Sequence, residues 1–413
     1  MNVPGAGTER NRMMTRKNVA LFALAFLATL GYGIMIPTLS VHAHSLGASH
    51  SEIGVIVSAF AAAQLLTQIP MGRLADWIGR VYMVVFGFGL MAVAATLYHF
   101  ATSSGQFVLL QAIAGVGAAC LWPPLMAMII EDTDPGERGR LMGTFNTVFF
   151  LGVSTGPLLG GFITSAFGHE AVFTAWTSVA LLGALVCILT VKESTKGKRA
   201  AMQSAAAGNA STPLVKPGML TTFAASCVVR ARGGVCSSFN NALLPLYAIA
   251  LFEATPAMIG SIMFIHGLGL AAFNIPGGMM SDRMGRRLPA LAGSLVATAG
   301  VLWYSAAGGY WALFVAVGLA GAGSAFSTPA VAALTADVCD ARRRGEAFGY
   351  LLTAFNLGMV MGSLVFGFVA EWLGLWGAVF AWGVTSLAMS LFGLLIRETL
   401  PAPAVAIAPQ LRS

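Results

Sequence analysis

Apolar residues gather into twelve stretches, each closed by a charge cluster or by a turn of Gly, Pro and Asn. At about 20 residues or more, each is long enough to cross the hydrocarbon of a bilayer as one helix. A helix is the form to expect, because in lipid every backbone N–H and C=O needs a partner inside the segment. The pattern predicts spans near 18–41, 51–74, 81–101, 105–131, 138–166 and 170–191. Six more follow near 219–250, 255–280, 287–307, 310–336, 344–372 and 375–397.

The second six spans repeat the first at a fixed offset of 206 residues. Pro70, Gly72, Asp76, Gly79 and Arg80 return as Pro276, Gly278, Asp282, Gly285 and Arg286. The same offset carries Gly115 and Gly117 onto Gly321 and Gly323, Gly152 and Gly156 onto Gly358 and Gly362, and Trp176 onto Trp382. Chance does not hold such residues in register over this length. The chain reads as two homologous bundles, 1–191 and 219–400. A polar, low-complexity segment at 192–218 reads as a flexible linker. The Ala/Pro-rich tail at 401–413 reads as disordered. Paired homologous membrane bundles with a site between them are a transporter architecture.

Composition supports the membrane reading. Hydrophobic residues make up 57% and charged residues 9%, too few charges to cover a water-facing surface. No small-residue cleavage site follows the first apolar stretch, so it reads as a span rather than a removable signal. Apart from Arg230 and Arg232, the other 21 of the 23 Lys and Arg residues lie in the termini, the central segment or alternate loops. The other loops carry His42, His44, His50, Glu52, His99, His169, Glu170, Glu253 and Glu371, and no Lys or Arg. This asymmetry puts both termini and the linker in the cytoplasm. It also accounts for the net charge of +7 without a nucleic-acid partner. Five scattered cysteines with no CxxC spacing argue against a disulfide framework or a zinc site.

Chemistry concentrates first in two loops. Gly72-Arg-Leu-Ala-Asp76-Trp77-Ile-Gly79-Arg80 joins spans 2 and 3, and Gly278-Met-Met-Ser-Asp282-Arg283-Met-Gly285-Arg286-Arg287 joins spans 8 and 9. Paired glycines permit a tight turn with backbones close together. An Asp beside Arg can cap a helix and bond a neighbouring one. Such a cluster can lock one arrangement of a bundle and release it in another, as a cytoplasmic gate does. The two loops resemble the signature loop of the major facilitator superfamily. The likeness extends over the whole chain in its twelve spans, two halves and central loop. The second copy follows the pattern closely; the first has Trp77 and Val81 where basic residues are usual, so fewer ionic contacts are expected there.

Span 5 contains Gly152-Val-Ser-Thr-Gly156-Pro157-Leu-Leu-Gly160-Gly161. Proline removes a helix hydrogen bond, and the glycines allow a bend and close packing. The segment resembles the superfamily signature of exporters that exchange substrate for protons. In span 4, Gln111 stands where drug/proton antiporters often carry an arginine. None of the 16 Asp and Glu residues lies deep in a span, so His266 in span 8 is the mid-span candidate for proton coupling.

Span 7 holds two arginines. At 100° per residue Arg230, Gly233, Gly234, Ser237 and Asn241 share one stripe, as a cavity lining would. Arg232 points the other way, among Val235, Phe239 and Leu243, and is expected to snorkel to the cytoplasmic interface. An intramembrane arginine such as Arg230 is costly enough to suggest a role, here with an anionic substrate group. Gln64, Gln111, Asn146 and Asn356 suit either substrate contacts or interhelical hydrogen bonds. His42, His44 and His50 lack the company of a tight metal site, and no metal or cofactor is expected. No nucleotide or catalytic motif is present, so the chain does not read as an enzyme.

The expectation is an all-α membrane protein with twelve transmembrane helices in two pseudo-symmetric six-helix bundles, monomeric in a plasma (bacterial inner) membrane. The resemblance implies alternating access and proton-linked efflux of small organic or amphipathic molecules. Two alternatives stay open: uptake or uniport of an organic anion held by Arg230, and a non-transporting sensor or assembly factor.

Overall fold

A computed structural model describes residues 16–131, 138–193, 213–340 and 343–400. The first half has six spans: Arg16–Ser45, His50–Ile78, Arg80–Leu97, Ser104–Glu131, Arg138–Phe167 and His169–Thr190. In the second half, span 7 is Leu220–Ala242 continued by Leu244–Phe252. Spans 8 to 10 are Pro256–Met284, Arg287–Ser305 and Tyr310–Val338. Spans 11 and 12 form one helical run, Arg344–Leu391, which reverses at Gly374 with φ +73°. The remaining calls, residues 194–212 of the linker and the 401–413 tail, lie outside the described residues. Residues 213–218 of the predicted linker lie against the end of span 10, where the Lys216 N–H donates to Val338 O at 2.9 Å.

Local sequence explains the span ends. Ser49 caps span 2: its hydroxyl accepts the Glu52 N–H at 3.2 Å and Glu52 accepts the Ser49 N–H at 2.8 Å, a capping box. Its repeat twin Thr255 caps span 8 by accepting the Met258 N–H, with Pro256 at the first helical position. Span 7 is not one straight helix. It bends by 51° between its two segments, at the step where Pro245 enters the next helix and cannot extend the hydrogen-bond ladder behind it.

The repeat is also a packing repeat. A Cβ on Gly115 would strike Phe60 O, and one on Gly321 would strike His266 O. Phe60 and His266 are themselves twins at the 206-residue offset. Gly87 meets Gly117 O as Gly293 meets Gly323 O, so spans 3 and 4 approach as closely as spans 9 and 10 do. Trp176 and Trp382 each close the interior of one bundle, Trp382 stacking on Phe239 with centroids 4.2 Å apart. The outer faces carry exposed Leu185, Ile188, Leu189, Phe380, Leu387 and Leu391, an apolar exterior suited to lipid.

Candidate functional site: loops, joint and cleft

At the basic end of the bundle each half builds the same corner. Gly79 (φ +135°) and Gly285 (φ +95°) turn the chain in a region closed to most side chains. Arg80 then reaches back to Asp76 at 3.2 Å, and Arg286 pairs with Asp282. Arg286 also meets Asp337 at the end of span 10, 3.3 Å away. Glu131, the twin of Asp337, has its side chain outside the described residues. Arg283 is exposed.

Two further carboxylates complete these corners. Glu193 accepts the N–H of Arg80 at 3.1 Å and of Val81 at 2.9 Å. Glu398 accepts the N–H of Arg286 at 2.8 Å and of Arg287 at 3.0 Å. Each anion sits on the positive end of a helix and satisfies donors that have no partner inside it. Sequence reading missed both, and the reason is arithmetic. Glu193 and Glu398 stand 205 residues apart, one short of the repeat offset, so superposing the halves does not align them.

The two halves meet along spans 5 and 8 and along spans 2 and 11. Gly161 faces Pro256 and Gly260, Gly54 faces Ser363 and Gly367, and Gly267 faces Ser154. Ser165 accepts the Ala257 N–H at 3.0 Å, and Ser40 donates to Asn241 O at 2.9 Å. All these contacts lie between the middle of the spans and the histidine-bearing end. Gly72 and Gly278 continue the faces of Gly54 and Gly260 about five helical turns on. There a Cβ would find only Pro123 and Pro329, each from its own half, at 3.7 and 3.8 Å. Ile69 and Ile275, beside them on these faces, are exposed. The halves therefore touch at the histidine end and part toward the basic end, leaving a cleft.

The span 5 motif serves both sides of this joint. Gly152 packs on Thr29, Gly156 on Gly33 and Gly160 on Ile34 O, all in span 1 of the same half, whereas Gly161 packs on span 8 of the other. Pro157 O in turn lies where a Cβ on Gly260 would fall.

Along span 7, Arg230, Gly233, Ser237 and Asn241 are partly exposed. The Arg230 guanidinium lies over the Phe355 ring, 4.5 Å from its centroid. Gly234 leaves the predicted stripe and packs on Phe355 O. Gln64 is partly exposed and Asn146 exposed. Gln111 and Asn356 are buried within their own bundles. Gln111 lies against Tyr32, and the Asn356 Nδ2 has no hydrogen-bond partner among the described residues. His266 is partly exposed, with Nε2 3.9 Å from Cys236 Sγ.

Arg232 corrects the snorkelling expectation. It is buried inside the second bundle and donates from Nη2 to Ser324 on span 10 at 3.2 Å. Periodicity gave the side correctly, since Val235, Phe239 and Leu243 are buried with it. That side faces the neighbouring helices rather than the interface. The histidines at the far end split into two pairs, His42 with His169 and His44 with His50.

Known proteins share this architecture. The profile of the Major Facilitator Superfamily matches residues 21–235 and 231–411. An uncharacterised MFS-type transporter of Methanocaldococcus jannaschii is 26% identical over 87% of this chain and 92% of its own. Quinolone resistance protein NorA of Staphylococcus aureus is 23% identical over 86% of this chain and 90% of its own. Multidrug resistance protein 2 of Bacillus subtilis is 31% identical over 43% and 44%. A solved bacterial homologue of the human lysosomal transporter Spinster, inward-facing and occupied, shares the fold. Its TM-score is 0.77 at 16% identity, covering 95% of this chain and 97% of that one. With the match running through both bundles, their loops and the joint, the chain belongs to the major facilitator superfamily, as a multi-pass membrane transporter and not an enzyme.

Proposed function

We propose that this chain exports small organic, amphipathic molecules across a bacterial inner membrane in exchange for protons. The observation that carries the proposal is the seat of the span 5 motif. One side of it is locked to span 1 and the other rests on span 8, so it lies where one half rocks on the other. Multidrug and quinolone resistance proteins among the relatives support the substrate class. The excess of Lys and Arg at one end supports cytoplasmic termini and a cytoplasmic linker. The cleft then opens inward, with Gly72, Asp76, Gly79, Arg80 and their twins as its gate. His266, mid-span and partly exposed, is the group assigned to the proton.

The test is flux in proteoliposomes carrying the purified protein. An imposed pH gradient should drive accumulation of a lipophilic dye or a quinolone, and collapsing it should release them. His266→Phe, which installs the residue found at the twin position 60, should flatten the pH dependence. Flux indifferent to the gradient overturns proton exchange. A second reading, carriage of an organic anion, is favoured by the partly exposed Arg230 on the polar stripe of span 7.

A further inference from the structure

Arg232 is 2% exposed, yet it makes one hydrogen bond, to Ser324. Its Nε and Nη1 are buried and have no partner among the described residues. No carboxylate is in reach by position, because the 16 Asp and Glu residues stand at span ends or in loops. A cation buried without an anion is among the costliest arrangements a fold can hold.

The other half shows that the bundle does not require it. At 206 residues before Arg232, Cys236, Asn240, His266 and Ser324 stand Phe26, Leu30, Ile34, Phe60 and Ala118. The backbone frame is the same, with Gly115 closing on Phe60 O as Gly321 closes on His266 O. One half fills this frame with apolar side chains. The second fills it with an arginine, a thiol, an amide, an imidazole and a hydroxyl. Cys236 Sγ lies 3.9 Å from both His266 Nε2 and Asn240 Nδ2, and Arg232 is joined to Ser324. The Asn240 Oδ1 is unpartnered as well. His266 is the partly exposed member.

We infer that Arg232, with Asn240, Ser324 and His266 around it, forms a subsite for the anionic head of an organic carboxylate, separate from Arg230. A carboxylate supplies acceptors for the two idle guanidinium nitrogens. Arg230 differs in kind. It lies on the opposite side of span 7, stacked on Phe355. The inference stands whatever the direction or coupling ion of transport, because binding is read without flux.

Titration calorimetry on the purified full chain, with benzoate as probe, decides it. Benzylammonium serves as the opposite charge and chloride as the inorganic competitor. Benzoate should bind and benzylammonium should not. Arg232→Met, which keeps length and removes charge, should weaken benzoate at least tenfold. Should Arg232→Met fail to give a monodisperse protein, Ser324→Ala and Asn240→Leu take its place, each weakening benzoate while leaving the elution profile unchanged. Benzoate binding unaffected by all three overturns the subsite and leaves the guanidinium to buried water. Loss on Arg230→Met alone moves the anion to the other arginine. Chloride displacing benzoate at equal concentration reassigns the site to a free inorganic ion. Failure of proton-driven flux with intact, Arg232-dependent benzoate binding sinks only the exporter reading.

Discussion

The backbone N–H of His50 donates to Glu371 Oε2 at 3.1 Å, and the two residues belong to different halves of the transporter. The His50 Nδ1 lies 3.8 Å from the same oxygen. Span 2 thus offers its N-terminus to a carboxylate at the far end of span 11, an arrangement that favours the anion. With the termini cytoplasmic as proposed, the contact closes the outer mouth and has to break when that mouth opens. Glu371→Ala should therefore shift the protein toward its outward-open form. A partly exposed pair of this kind contributes about 0.2–1 kcal/mol, so a population change of up to about fivefold is expected. Spin-label distances between the cytoplasmic ends of spans 2 and 11 should shorten, and unchanged distances reject the latch.

The glycine contacts of the joint give a larger lever. A Cβ on Gly161 would lie 3.0 Å from Gly260 Cα and closer still to Pro256 O. Overpacking of this sort costs about 1–3 kcal/mol. At Gly161 it is relieved when the halves part on the outer side, so Gly161→Val should populate the outward-open form without lowering the melting temperature. At Gly115 the strike is on Phe60 O within one half, and no rocking relieves it. Gly115→Val should lower thermal stability instead. Equal effects on stability from the two substitutions contradict this division.

Hydropathy, charge placement and the repeat carried most of this architecture in the sequence, because a bilayer imposes length, apolarity and sidedness on every span. What stayed hidden was set by neighbours. Span 7 reads as one apolar run, and only the packing shows that the step before Pro245 is a real bend. Arg232 projects to a definite side of its helix, but periodicity does not say whether that side meets interface or bundle. Glu193 and Glu398 escape the repeat through a one-residue slip, and only their backbone partners reveal them as equivalent.

Glu398 makes that equivalence testable by pH. Partial burial pushes its carboxyl upward. The N–H groups of Arg286, Leu400, Arg287 and Thr399 outweigh this and hold it below the ordinary carboxylate value of 4.5. A carboxyl depressed in the folded state contributes stability that is complete above its unfolded pKa. That stability is lost as pH falls through the folded one. The corner should weaken as pH falls below that ordinary value, by no more than about 1 kcal/mol because the carboxyl is exposed and screened. Glu398→Gln should remove the pH-sensitive part of this loss. Thermal unfolding of wild type and variant followed from pH 7 down to about pH 3 checks it, and parallel curves refute it.

Asp76 and Asp282 are expected to act on switching rather than folding. Both are exposed and each holds one arginine of its own corner. Asp282→Asn leaves Arg286 with Asp337, so that corner should persist while the gate loses its movable partner. Each Asn variant should insert and unfold like wild type and transport several-fold more slowly. Wild-type flux in both would remove the gate assignment.

Arg230 is held by an aromatic face and, among the described residues, by no carboxylate ion pair. A guanidinium over a ring contributes about 0.5–2 kcal/mol, depending on how far it is desolvated. If Arg230 grips an anionic substrate, Arg230→Ala should abolish anion flux. Arg230→Lys should restore only part of it, because a point charge cannot reproduce two parallel hydrogen bonds. Phe355→Leu tests the orientation separately from the charge. It keeps the arginine and removes the surface that aligns it, so KM for an organic anion should rise several-fold while neutral dyes move as before. Equal losses for neutral and anionic substrates would mean that Phe355 shapes the cleft itself, and Arg230 would then be a packing residue with a charged end.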